Sequence, residues 1–111
     1  MAAPTVNILL EKGTDFEATF NVFDVTQEPL IFNNFIGVSK LRKYPTSPIS
    51  FPFTVSITAS TGEVTIGMAK SITSQLPSGR NYYDILLTSL TNNTTFKVVE
   101  GNIIVSDTSS L

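Results

Sequence analysis

The chain contains no cysteine, no histidine and no tryptophan. Without cysteine there are no disulfides, no thiol nucleophile and no thiolate metal site, and the redox compartment stays open. Without histidine the commonest general base, the commonest zinc ligand and every Ser-His or Cys-His arrangement are gone. Charge is also scarce: Asp, Glu, Lys and Arg make up 14% of the residues, against about 25% in ordinary soluble domains. The surface must therefore be rich in Ser, Thr, Asn and apolar groups, which favours assembly over a freely soluble monomer. The net charge is −2 with no Lys/Arg block, so the phosphate-neutralising footprint of a nucleic-acid binder is missing. The six glycines form neither a GxGxxG nor a GxxxxGK pattern, which removes the usual phosphate cradles. The start, MAAPTVNILLEKG, has no basic segment and only a short apolar run, and reads as neither a secretory signal nor a membrane span.

What is present is a β-rich pattern. A length of 111 residues suits one domain with one core, and eight Phe and three Tyr suit strands. Val6, Ile8 and Leu10 alternate with Asn7, Leu9 and Glu11. Turn chemistry at Lys12, Gly13 and Thr14 precedes a second alternation through Phe16, Ala18, Phe20 and Val22. After a break at Gln27, Glu28 and Pro29 come Leu30, Ile31 and Phe32, and then a strand over 35–44. Its two faces carry Phe35, Gly37, Ser39 and Leu41 against Ile36, Val38, Lys40 and Arg42, so the basic run SKLRKY reads as a solvated strand face. Pro45, Pro48 and Pro52 read as a loop or irregular edge, since proline cannot donate to a ladder.

Alternation resumes at Phe53, Val55 and Ile57, turns at Ser60, Thr61 and Gly62, and returns through Val64, Ile66 and Met68. Residues 69–76 form the one helical segment, with Ala69, Ile72 and Leu76 at spacings of three and four. A strand over 82–89 sets Tyr83, Ile85 and Leu87 against Tyr82, Asp84, Leu86 and Thr88. The turn Thr91, Asn92, Asn93, Thr94 leads to a final strand over 95–106, interrupted at Glu100, Gly101 and Asn102, where the glycine suggests a bulge or bend. About seven to eight short strands with turns between them predict an all-β, antiparallel β-sandwich. The expected divisions are an arm at 1–5, one domain at 6–106 and a tail at 107–111.

For chemistry, the carboxylates remain. Asp15 and Glu17, two apart, share a face as a glycosidase or oxygen-ligand metal site requires, although exposed strand carboxylates commonly look the same. A sugar-binding sandwich would stack exposed aromatic rings on its ligand. Phe16 and Phe20, however, fit the period of a core. Glycans are thus a lesser alternative, and neither a catalytic site, a metal nor a cofactor is expected.

The ordered segments KGTDFEATFNVFD, EPLIFNNF, GVSKLRKY, TGEVTI, AKSITSQLPSGRNYYDILLT and TTFKVVEGNIIVS resemble the small Ig-like β-sandwich domain of phage baseplate and tail proteins, as in the N-terminal domain of the siphophage upper baseplate protein. The likeness spans roughly residues 5–106. Gly13, Asp15 and Phe16 match its strand start; Pro29, Leu30, Phe32 and Phe35 match its next segment, with Asn34 where glycine is usual. Thr73, Leu76, Pro77, Gly79, Tyr83 and Asp84 match its crossing step, and Glu100, Gly101, Ile103 and Val105 its closing strand.

The resemblance implies an Ig-like sandwich whose short helical turn crosses between two sheets. Tyr83 would pack in the core, and Asp84 would cap a backbone group or pair with Arg80. It also implies a non-enzymatic virion structural protein, made in the host cytoplasm without a signal peptide and present in many copies. Ending at Leu111, without the long extensions of larger members, fits a tail or baseplate adaptor, or alternatively a capsid decoration or cement protein. The partners would be other virion proteins, with no nucleic acid and no membrane. The expected contacts are Ala2, Ala3 and Pro4 of the arm, and Tyr44, Pro45, Pro48, Phe51 and Phe53 of the proline-rich loop.

Overall fold

A computed structural model describes residues 4–21, 35–58, 62–90 and 93–107. Among these residues seven strands and one helical turn follow in order: β1 (Ile8–Glu11), β2 (Phe16–Asn21), β3 (Phe35–Arg42), β4 (Phe51–Thr58), β5 (Glu63–Met68), α1 (Lys70–Thr73), β6 (Gly79–Ser89) and β7 (Thr95–Ser106). The strands are hydrogen-bonded in the order β1-β7-β6-β3-β4-β5-β2. This ladder folds over at β4. Phe51, Pro52 and Phe53 pair with β3, whereas Thr54 to Thr58 pair with β5, so one strand serves two layers. The sets β2-β5-β4 and β3-β6-β7 correspond to the B-E-D and C-F-G sheets of an Ig-type sandwich. The first strand joins β7 in parallel instead of lying beside β2.

The expected proline-rich loop therefore ends earlier than the prolines suggested. Pro52 stands opposite Lys40 at the rung before β4 leaves β3, a sheet margin where a strand residue without an N–H is tolerated. The expected turn between β1 and β2 is present, but it is no hairpin: β1 pairs with β7 and β2 with β5, so the turn carries the chain from one layer to the other. Residues 22–34, including Val22, Pro29 and the Leu30 to Phe32 run, lie outside the described residues.

Alternation fixes the core. Leu10, Leu41, Ile66, Ile85, Leu87 and Ile103 are each 0% exposed and come from both layers. Burying each stabilises the fold by about 1.5–3 kcal/mol relative to exposure. Phe16 of β2 meets Phe53 of β4 with ring centroids 5.7 Å apart, and Phe35 meets Phe96 edge-on at 5.8 Å. Phe53 is thus buried, and Phe51 packs against the core. Both are corrections to their expected place on a contact loop: a strand that crosses between layers turns its alternate residues inward.

The helical segment is shorter than residues 69–76. Ala69 is exposed at its start, Thr73 and Leu76 are buried, and Ile72 packs half-buried against the core. A single turn is too short to hold itself, and the β1–β2 turn holds it from outside. The Asp15 carboxylate accepts a 2.9 Å hydrogen bond from the Lys70 backbone N–H. Thr73 Oγ1 donates to the Thr14 carbonyl at 2.7 Å and accepts from the Gly13 N–H at 3.1 Å. Gly-x-Asp and the distant threonine form one lock.

The bulge in β7 also differs from expectation. Ile85 pairs with Val99 but Leu86 with Lys97, so Val98 is the extra residue, and Val98 and Val99 both point inward. Gly101 lies in regular register opposite Tyr83 and has another use. The chain before β1 runs across it so closely that an added Cβ would strike the Val6 carbonyl. That segment is tied down by Val6 N–H to the Glu100 carbonyl (2.8 Å), Glu100 N–H to the Pro4 carbonyl (3.1 Å) and Tyr83 hydroxyl to the Val6 carbonyl (2.7 Å). Pro4 thus belongs to a strap on its own β7, where it was expected to reach a neighbour.

Two substitutions test these locks. Asp15→Ala removes an acceptor from the start of α1 and is expected to cost about 0.5–2 kcal/mol, read as a lower urea midpoint at unchanged slope. Gly101→Ala forces the strap off β7 and is expected to cost about 1–3 kcal/mol, read as a lower Tm.

Candidate functional site

Even-numbered residues of β6 point away from the core, and the pairings of β6 assemble them with those of β3 and β7 into rows across an open face. One row is Lys40, Asp84 and Glu100; the next is Arg42, Tyr82 and Asn102. On the other side lies Val38, Leu86 and Lys97. The charged rows, with Thr5 and Pro45, line a groove of about 310 Å³.

The bulge makes part of this face. Lys97 and Glu100, three residues apart, would lie on opposite faces of a regular strand. Val98 as an extra residue brings them to the same side, where Lys97 Nζ lies 3.2 Å from Glu100 Oε1. Both side chains are more than two-fifths exposed, so the pair adds little stability. Arg42 is anchored, donating from Nη1 to the Ser47 carbonyl at 2.6 Å and holding the loop after β3. Among the described residues, the Lys40 and Asp84 side chains make no hydrogen bond or ion pair. Asp84 was expected to cap a backbone group or pair with Arg80. Its side chain points outward beside Lys40 and Glu100, while its backbone carbonyl accepts from Ser39 Oγ at 2.7 Å.

Apolar side chains flank the charged band: Ile36 and Val38 on β3 are 49% and 46% exposed. At the opposite end Leu9 of β1, 69% exposed, lies beside Ile104 of β7, 39% exposed.

Other expected residues fall as follows. Tyr44, Pro45 and Pro48 are exposed on the loop after β3, whereas Ala2 and Ala3 lie outside the described residues. Glu17 is exposed on β2 opposite Gly67, and the Asp15 carboxylate accepts from the Lys70 N–H at the start of α1. Leu76 is buried, and Gly79 opens β6 at φ +93°, a conformation suited to glycine. Asn81, unmarked in the sequence, is fully buried and donates to the carbonyls of Pro77 (2.9 Å) and Gly79 (3.1 Å), fastening the crossing turn.

Tyr83 is the inward counterpart of the groove. Burial raises its hydroxyl pKa to about 12 from the ordinary 10.0. A raised folded-state value means that the protonated phenol stabilises the fold fully below pH 10 and that this contribution is lost as pH rises towards about 12. Tyr83→Phe is expected to cost about 1 kcal/mol near neutral pH. The gap from the parent protein should shrink through that alkaline window in urea unfolding at a series of pH values.

No protein-family model and no curated protein matches this chain.

Proposed function

We propose that this chain is a non-enzymatic structural subunit of a bacteriophage particle, a small tail or baseplate adaptor that docks on neighbouring virion proteins through the outer face of β1, β7, β6 and β3. The observation that carries the reading is the composition of that face. Single exposed apolar residues are ordinary, but Leu9, Ile104, Ile36 and Val38 share one side of one sheet. They bracket a band of both charge signs, the mixture of apolar and polar surface found at docking interfaces. A face of rigid strands also keeps its shape on docking, as an assembly subunit requires. The resemblance to baseplate and tail sandwiches supplies the setting, and the scarcity of charge supports a protein built to be covered.

Mass spectrometry and electron cryo-microscopy of purified particles whose genome encodes this chain test the reading. The expected result is a stoichiometric component traced at the tail or baseplate. Density on the head lattice would make it a decoration protein, and absence from the particle would contradict a virion role.

A further inference from the structure

We propose that the outer face of β3 and β6 is the contact surface of a two-fold symmetric dimer of this chain, with the axis running along the strands between β3 and β6. The inference builds on the reading of this face as an interface and commits it to one occupant, a second copy.

The charge pattern is self-complementary. In a two-fold interface, if residue i meets residue j, then j meets i. Lys40 and Asp84 stand directly opposite each other on β3 and β6, as do Val38 and Leu86 one rung along and Arg42 and Tyr82 on the other side. An axis between the two strands lays Lys40 of each copy over Asp84 of the other. It also lays Val38 over the second copy's Leu86 and the Arg42 guanidinium over the second copy's Tyr82 ring. Every contact forms twice: opposite charges meet at Lys40 and Asp84, apolar groups at Val38 and Leu86, and a cation and an aromatic ring at Arg42 and Tyr82. Shifting the axis onto β6 instead would set Asp84 against its own copy. Lys40 and Asp84 make no hydrogen bond or ion pair among the described residues, so both are available.

The axis sets the size of the contact. Only the paired stretches of β3 and β6, Phe35–Arg42 and Tyr82–Ser89, overlie their counterparts in the second copy. Ordinary strand spacing and rise give roughly 260 Å² of flat face per partner. That is the size of a weak, concentration-dependent association, held in register by its charges.

Sedimentation velocity of the full chain from micromolar to millimolar concentration tests the proposal. The parent protein is expected to dimerise as concentration rises. Asp84→Lys and Lys40→Asp are each expected to weaken the dimer by at least about 100-fold, because like charges then meet twice. Mixed in equal amounts, the two variants are expected to pair with each other, since each substituted side chain then faces its opposite. Val38→Glu gives an independent break through the apolar rung, and an unchanged circular dichroism spectrum separates loss of contact from loss of fold. A parent protein that stays monomeric, single variants that dimerise normally, or a mixture that stays monomeric would each overturn the proposal. A monomeric chain found in particles would overturn the dimer while leaving the structural role standing.

Discussion

The register of β7 against β6 is the constraint on which the rest of the molecule depends. Two consecutive valines, Val98 and Val99, both turn into the core, and the ladder slips by one residue there. Ahead of the slip, Lys97 faces outward beside Leu86; behind it, Glu100 faces outward beside Asp84. The same slip keeps Gly101 opposite Tyr83, where the strap and the Tyr83 hydroxyl meet at Val6. A regular strand would turn either Lys97 or Glu100 inward, a charge the core has no partner for.

The outer face is stiff because the elements behind it are locked from several sides. β4 belongs to both layers, so the two sheets cannot slide apart without breaking one continuous strand. Asp15 and Thr73 bind the β1–β2 turn to α1, fixing where β6 begins. The strap across Gly101 joins the first strand to the last and adds Thr5 to the lining of the groove. Packing inside thereby sets the positions of charges outside, and those positions decide what the face can meet.

Alternation made most of the fold legible in the sequence. The inward faces of β3, β5 and β6 follow from period-two patterning, whereas the crossing turn at Leu76, Pro77 and Gly79 is what the resemblance implies. What alternation cannot carry is adjacency. It places Lys40 and Asp84 on outer faces without saying that β3 lies beside β6, so a charged patch built from three strands looked like scattered surface charge. Phe51 and Phe53 lie on a strand instead of a loop or irregular edge, because Pro52 is tolerated one rung before the last pairing of β4 with β3. Gly101 was noticed for the right rarity and the wrong reason: its missing side chain admits another backbone and creates no bulge. The Asn81 anchor has no motif at all, since its hydrogen bonds exist only once the turn has closed.

The account stands on the outer face of β3 and β6 being the surface through which this chain assembles. The most direct measurement is a concentration series of amide NMR spectra of the full chain, assigned residue by residue. The expected result is progressive shifts confined to Val38, Lys40, Arg42, Tyr82, Asp84 and Leu86, with the β2 and β5 layer unchanged. Shifts centred on β2, or none on β3 and β6 at any concentration, would contradict it.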